Sequence, residues 1–504
     1  MLLAVAATAQ QTETLDTVLL DTKTPLARKN SGKIITKITA AQLEARRGAS
    51  VADVLNEVSG IEINGARSND GQNLAYYVRG GRNRQVVIMV DGVQLNDPSQ
   101  IANDYDLRLI PANSIEEIEI LKGASSVLYG SGAATAVISI TTKKTSKKDI
   151  AATFTSTLGS NRPTESDFKD DTKFETFTNN VNVSGTLNKF FYNANFSNRY
   201  TDGLSAVAAP ADSTRFESDV YDRFNTRLNL GYNITDSISI SQFVSVDKFK
   251  AGFDNFNFTD ANHLSITEQL KTGGHFEWKY KKGTYVFNDS YQWIDREIIS
   301  DFPSKFESKS YSLDNYLNHR FTQNFQAVVG LNVNLSEFTS STIPFGESTF
   351  TEQVNADTAN FDIIDPYLNL VYVSDIGLTL NGGVRLNVHS VYDSQFVYHI
   401  NPSYRFNLGE NNIKLLASYS TAYITPSLFQ LYDPQFGNEA LTPEENRTIE
   451  GGLEFSRNRI RLSAVYFNRN EDNFVDFVNV DPENFIFQYQ NVGATFESSG
   501  VEID

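Results

Sequence analysis

The charged residues that could do chemistry fall into a few groups. Arg79, Arg82 and Arg84 stand close together, with Glu116, Glu117 and Glu119 further along. Guanidinium and carboxylate groups in such numbers suit ion pairs across a boundary between two bodies; on a solvated surface each pair would be worth under ~1 kcal/mol. Asp212, Asp219 and Asp222 share one polar stretch, and Asp247, Asp254 and Asp260 the next. Carboxylate oxygens suit calcium, which takes about 6–8 oxygen ligands, so two adjacent acidic loops could supply most of a shell. Acidic loops are also what a chain of net charge −18 carries in any case. That charge argues against a nucleic-acid partner, whose phosphates want Lys and Arg. The five histidines are scattered at positions 263, 275, 319, 389 and 399, and there is no cysteine. Clustered His and carboxylate ligands, thiolate sites and disulfides are therefore excluded. The turn at Arg79-Gly80-Gly81 lacks the spaced downstream glycine of a nucleotide fingerprint. Nothing in the chain reads as an enzyme; what remains is binding and transport.

The elements that must position these groups are of two kinds. Residues 33–148 form a small α/β unit. Residues 50–58 (SVADVLNEV) place an N-cap candidate before Val51, Val54, Leu55 and Val58, which share one helix face, and Gly60 follows as a stop. Residues 86–90 (VVIMV) predict a buried strand and Asp91-Gly92 a turn. Residues 115–121 and 137–142 predict two more strands, and Lys143, Lys144, Lys147 and Lys148 mark the exit.

From residue 149 to 504 the pattern is serial β. In residues 223–234, Phe224, Thr226, Leu228, Leu230, Tyr232 and Ile234 alternate with Arg223, Asn225, Arg227, Asn229, Gly231 and Asn233. Residues 448–456 repeat this, Ile449, Gly451, Leu453 and Phe455 facing away from Thr448, Glu450, Gly452, Glu454 and Ser456. Short turns at 188–189 and 409–412 contrast with long polar stretches at 160–176, 202–222 and 340–360. Short turns at one end and long loops at the other is the arrangement of outer-membrane barrels, whose strands need only about ten residues and look soluble on average. The mean hydropathy of −0.33 is no obstacle to that. The abundance of Phe (35) and Tyr (23) suits interfacial girdles. A soluble sandwich or propeller is the competing reading; strands such as 378–388 are long for it, and no 40–50-residue repeat is seen. About sixteen strands are expected between 150 and 504. The last begins near Val501 and is cut at Asp504, so two free edges are expected, near residues 151–158 and 485–504, with further strands missing. At the other end, residues 1–9 read as the tail of a secretory signal, with Ala7-Thr8-Ala9 as its small-residue site. Residues 10–32 read as an extended tether.

In order along the chain, Val51-Ala52-Asp53-Val54-Leu55, Gly60-Ile61, Val78-Arg79-Gly80, residues 87–93, Asn96-Asp97-Pro98, Ile110-Pro111, residues 115–123, Leu128-Tyr129-Gly130 and residues 138–143 resemble the plug domain of TonB-dependent outer-membrane receptors. Residues 422–432, Gly437-Asn438 and residues 441–444 resemble a barrel loop-plus-strand signature, closest to that of cobalamin (vitamin B12) receptors, with siderophore receptors next. The resemblance implies a mainly β fold, an antiparallel transmembrane β-barrel of about 22 strands enclosing an N-terminal plug. It further implies TonB-dependent active import of a cobalamin or ferric siderophore across the outer membrane of a Gram-negative bacterium. Asp16, Thr17, Val18, Leu19 and Leu20 resemble a TonB box, a segment that can add as a strand to a partner's sheet edge. The plug apex, where ligand would bind, corresponds to Ser68, Asn69, Asp70, Gln72 and Asn73 and to Leu95, Asn96, Asp97, Ser99 and Gln100. Arg79, Arg82, Arg84, Glu117 and Glu119 become candidates for a plug–barrel lock. No cofactor is required, though cobalamin receptors order such acidic loops with calcium. Haem is disfavoured, because no histidine lies in either apex stretch or between Pro426 and Asn438. A passive porin, or an adhesin or peptide-binding barrel, is the alternative; neither needs a plug or a box.

Overall fold

The computed structural model describes residues 23–504, apart from 25, 47, 67, 69, 161–173, 203–204, 210–215, 256 and 458–459. The signal-like stretch, the five box residues, Asn69 and Asp212 lie outside the described residues.

The N-terminal unit is built on a five-stranded sheet in the order Ile35–Ile38, Ile115–Lys122, Ala136–Thr142, Val86–Val90, Val93–Leu95. Only the pairing of Val86–Val90 with Ala136–Thr142 is parallel. The helix Val51–Asn56 starts where Ser50 and Asp53 cap each other reciprocally, satisfying two orphan N–H groups. Its buried face, Val51, Val54 and Leu55, packs into one core with Ile61, Ile63, Ile118, Ile120, Ile138 and Ile140. The helix ends at Glu57, three residues before the expected glycine stop.

Among the described residues the rest of the chain forms an antiparallel barrel of seventeen strands and a separate two-stranded hairpin, Phe474–Asp481 with Ile486–Val492. One, Thr351–Val354, has four residues. The other sixteen run from 8 to 18 residues, matching the number expected. Inward positions carry Asn, Ser, Thr and Gln, as at Asn180, Asn225, Gln269 and Asn369, all buried. Outward positions carry Leu228, Leu230, Val244, Val329, Leu380 and Leu453, all exposed. At one end every connection between long strands is two to four residues, while at the other they reach the length of residues 473–495. Beside the short turns lies a belt of aromatic contacts: Phe190 with Tyr192, Trp278 with Tyr280, Phe321 with Phe325, Tyr404 with Phe406. An apolar outer face bounded by amphipathic rings is what a bilayer requires of a barrel. No helix among the described residues is long and apolar enough to cross a membrane.

In ring order Phe496–Ile503 is followed by Ala151–Gly159, a departure from the expectation that these two strands would be free edges. No residue register joins them among the described residues, whereas each has one with its other neighbour.

Candidate functional site

The plug fills the lumen, and its most charged contact with the barrel gathers around Arg79. Strand Ala75–Val78 turns sharply after Val78, with Arg79 at φ 51° and Gly80 at φ 75°. A non-glycine residue held at positive φ is uncommon and costs energy. Here it aims the guanidinium at the wall. A Cβ on Gly80 would lie 2.5 Å from Ser498 Oγ, so the turn seats directly against strand Phe496–Ile503. Arg79 Nε and Nη2 donate to the two oxygens of Glu502 at 3.0 and 2.8 Å, and Nη1 donates to Glu450. Its guanidinium also lies 4.9 Å from the Phe467 ring. Lys122 shares Glu502 at 3.4 Å, and Lys33 stands 4.0 Å from Glu450. Burial draws the Lys33 ammonium down to about 8, against the pull of Glu450.

Next to this cluster Arg84 pairs with Glu444 and donates to Val475 O at 2.5 Å. Gln85 donates to Glu471 at 2.6 Å, and Arg469 bridges Glu471, Gln85 and Gly80 O at 2.7, 3.1 and 3.0 Å. Arg82 stacks 3.5 Å over Phe474. Burial, then neighbouring Arg84, brings its pKa down to about 10.

Arg79 and Arg84 therefore pair with barrel carboxylates, and Arg82 stands 3.8 Å from Asp476. Glu117 and Glu119 belong to a different contact: both pair with Lys37, at 2.8 and 3.5 Å, inside the plug. Sheet register explains this correction, because Lys37 lies directly opposite Glu119. The functional partners missed in sequence were Lys33, Lys122, Gln85, Glu444, Glu471 and Glu502. Alternation places Glu450 on the polar face of its strand, and that is the available signal.

Both apex stretches reach the long-loop end. Ser68, Gln72 and Asn73 are exposed. Asp70 is held by Arg199 through bonds of 2.9–3.1 Å. The second stretch differs from its expected role. Leu95 belongs to the plug core. Asp97 is buried, pairs with Arg296 at 3.2 Å and accepts from Ser308 at 2.8 Å and Ser99 at 2.6 Å. Ser99 is buried too, its carbonyl accepting from Arg296, and Asn96 O accepts from Gln292 at 2.5 Å. These residues fasten the plug to the wall, while Gln100 is half-buried and Ile101 exposed.

Above the lumen, residues 425–443 and the hairpin Phe474–Asp481 with Ile486–Val492 form a packed cap. Ser427 caps the short helix Leu428–Tyr432 and donates to Ile101 O at 2.7 Å. Phe429 meets Phe306, Phe338 and Tyr489.

Of the six aspartates, Asp247 faces the lumen and pairs with Lys271 at 3.3 Å. Asp219 and Asp254 stitch loops together, accepting from Ala206 N at 2.6 Å and from Val207 N and Ala261 N at 3.0 and 2.9 Å. Burial, then Asp254 and Asp260, raises Asp219 to about 6. Asp222 opens a barrel strand opposite Lys250. Among the described residues no group of three acidic or histidine side chains is arranged to hold a metal.

Comparison with known proteins gives a consistent result. A family model described as the TonB-dependent Receptor Plug Domain matches residues 27–137, and one described as TonB dependent receptor-like, beta-barrel matches residues 153–504. The Vitamin B12 transporter BtuB of Vibrio cholerae serotype O1 is 25% identical over 490 residues, spanning 92% of this chain and 71% of that protein. The siderophore receptor PirA of Pseudomonas aeruginosa has a similar structure, TM-score 0.72 at 20% identity, over 93% of this chain and 81% of that one. The copper transporter OprC matches with TM-score 0.72 at 14% identity, over 90% and 73%. At these identities the two structures speak for the fold.

Proposed function

The chain belongs to the TonB-dependent receptor family, and from that membership we propose that it imports a scarce, bulky ligand across the outer membrane, powered through an N-terminal contact with TonB. The observation that carries this reading is the filled lumen: a plug bound to the wall by Arg79, Arg84, Asp97 and Asp70 blocks passive flow, so a porin-like role is disfavoured. An apolar outer face with an aromatic belt supports residence in the outer membrane.

Cobalamin or a ferric siderophore is the proposed cargo. The vitamin B12 relative supports the first, and the family's siderophore receptors support the second. The exposed apex residues Ser68, Gln72 and Asn73, with Ile101 beneath the aromatic cap, are the surface on which we expect the ligand to rest. Calcium remains part of the proposal through the acidic loops, whose carboxylates would have to draw together to form a site, since no such group is gathered among the described residues; chelation should then weaken ligand binding, and an unchanged affinity would remove it. Titrating the full-length receptor calorimetrically with cyanocobalamin and with ferric siderophores identifies the cargo. The coupling test is Val18→Pro, which deletes a backbone donor needed for strand addition. Uptake should stop in cells while surface binding of the same ligand stays normal; uptake that survives would sink the box assignment.

A further inference from the structure

Cations gather on one arc of the short-turn end, although the chain as a whole carries a net charge of −18. Lys147 and Lys148 stand where the plug's exit joins the first barrel strand, and Lys189 in the turn before strand Phe190–Thr201. Lys281 and Lys282 form the turn between His263–Tyr280 and Gly283–Ile299, and Arg320 ends strand Ser304–Arg320. All six are exposed. Main-chain bonds tie these turns into one continuous arc. Thr186 N donates to Lys148 O at 2.8 Å, Asn233 N to Lys189 O at 2.8 Å, Lys279 N to Ser237 O at 2.7 Å and Arg320 N to Lys282 O at 2.7 Å. The fully exposed carboxylates along the arc are Asp149 and Asp236. Among the described residues none of the six cations has an acidic partner; Lys189 Nζ donates to Ile234 O at 2.9 Å. Further round the rim the turns carry Asp375 and Glu410 instead, and the long-loop end exposes Asp260, Asp301, Glu347 and Asp357.

The aromatic belt sets the depth of this arc. Phe190 follows Lys189, Trp278 and Tyr280 precede Lys281, and Phe321 follows Arg320. Phe190, Trp278 and Phe321 are 37, 46 and 52% exposed on the outside of the barrel. Such rings settle at the headgroup level of a bilayer. Cations one to three positions beyond them therefore lie at the level of the phosphates, and lysine's long stem lets its ammonium reach water beside them. An anionic lipid surface attracts each such cation, and the attraction fades within a Debye length.

We propose that this arc is a binding site for anionic phospholipids in the leaflet at the short-turn end. Its cations hold the headgroup phosphates, while the neighbouring rings pack at the boundary with the acyl chains. The site rests on the barrel's residence in a bilayer, and the test tells the two apart.

Two tryptophans serve as reporters. Trp278 lies in the belt beside the arc; Trp293 lies farther from the short turns, opposite Leu270 and Lys309. The full-length receptor is reconstituted into mixed vesicles of phosphatidylcholine and phosphatidylglycerol, with bromine on the acyl chains of one lipid or the other. The quenching lost in Trp278→Phe is the share reported at the arc, and that lost in Trp293→Phe is the share at the other end. At Trp278 phosphatidylglycerol should be favoured about fivefold or more, as attraction of a few lysines to anionic lipid provides; at Trp293 neither lipid should be favoured. Lys189→Gln, Lys281→Gln and Lys282→Gln combined should abolish the preference. So should about 1 M salt, where the Debye length is ~3 Å. The salt series needs none of the lysine variants, so it carries the test if the triple variant does not assemble. Equal quenching by the two brominated lipids at Trp278 would overturn the site and leave the cations to a soluble acidic partner. A preference that survives the triple variant or the salt, or that is as strong at Trp293, would also overturn it. Quenching by neither lipid would overturn the bilayer reading, and the site with it.

Discussion

The plug's interior and the plug's seat in the barrel are built from opposite chemistries. Inside, Leu55, Ile118, Ile120, Ile138 and Ile140 are fully buried against one another. At the seat, Arg79, Arg84, Lys122 and Arg469 meet Glu444, Glu450, Glu471 and Glu502. Burying apolar surface gains roughly 0.8 kcal/mol per methylene, and water offers nothing in exchange. A buried ion pair gains much from its partner but gives up hydration of similar size, so letting water in returns part of what separation costs. The interior is thus built to stay together. The seat is specific and tight yet can be exchanged for solvent, as the proposed import would require of a plug that shifts without coming apart.

The largest expected effect breaks the seat at its centre. Arg79→Ala leaves Glu450 and Glu502 buried without their shared cation, at a cost of about 3–5 kcal/mol. Urea should then release the plug well below the denaturant concentration that the parent withstands, followed by hydrogen exchange of residues 75–78. Adding Glu450→Gln and Glu502→Gln to Arg79→Ala should recover much of the loss. A triple variant no better than the single one would mean that the cluster works by shape, and the contrast between the two chemistries would fail.

Next in size is the interior. Leu55→Ala removes a fully buried side chain and should destabilise the plug by about 2–5 kcal/mol. No second substitution at the seat should compensate it, and exchange should rise throughout the five-stranded sheet together. A rise confined to residues facing the barrel would blur the distinction between body and seat.

A smaller effect separates pairs within the plug from pairs across the seat. Lys37 is partly buried and joins Glu117 and Glu119 on neighbouring strands. Lys37→Met should cost about 1 kcal/mol, visible as faster exchange in strand Ile35–Ile38 with plug release unchanged. Earlier plug release would place Lys37 in the seat after all.

Much of this was legible in sequence because alternation and capping are local. The face carrying Leu228 and Leu230, the strand Val86–Val90 and the Ser50–Asp53 cap follow from residues a few positions apart. The seat is not local. Alternation turns Glu450 inward, but which plug residue meets it depends on which wall the plug faces, and no short-range pattern holds that. The same limit applies to Glu117 and Glu119: their charge makes them candidates for the plug–barrel lock, whereas strand register gives them to Lys37 inside the plug. Asp97 and Ser99 look like free loop groups in sequence and are buried because Arg296 and Ser308 reach them from the wall.

The smallest expected effect uses pH to tell charge from apolar packing. Asp104 sits at the plug's upper end, where burial raises its carboxyl from the ordinary 3.8 to about 6; Asn83, donating to it at 2.8 Å, opposes this, while Asp106 and Asp97 add to it. A carboxyl whose pKa is raised in the folded state binds its proton more tightly there than when unfolded. Its stabilising contribution is therefore fully present below about pH 4 and is lost as pH rises through about 6. A gap of about two units corresponds to roughly 3 kcal/mol at most. The side chain is only half-buried at its surface, and solvent screening should leave about 1 kcal/mol. The plug should accordingly lose stability between about pH 4 and 6 from this group. Asp104→Asn keeps an acceptor for Asn83 and should be more stable than the parent near pH 7, with the pH-dependent loss reduced by that amount. Leu55→Ala should retain the parent's full pH slope, because its cost is independent of protonation. Melting followed by hydrogen exchange near pH 4.5 and 7 separates the cases. Equal slopes in Asp104→Asn and the parent would show that Asp104 binds its proton equally in the folded and unfolded states and that the pH response of the plug originates elsewhere.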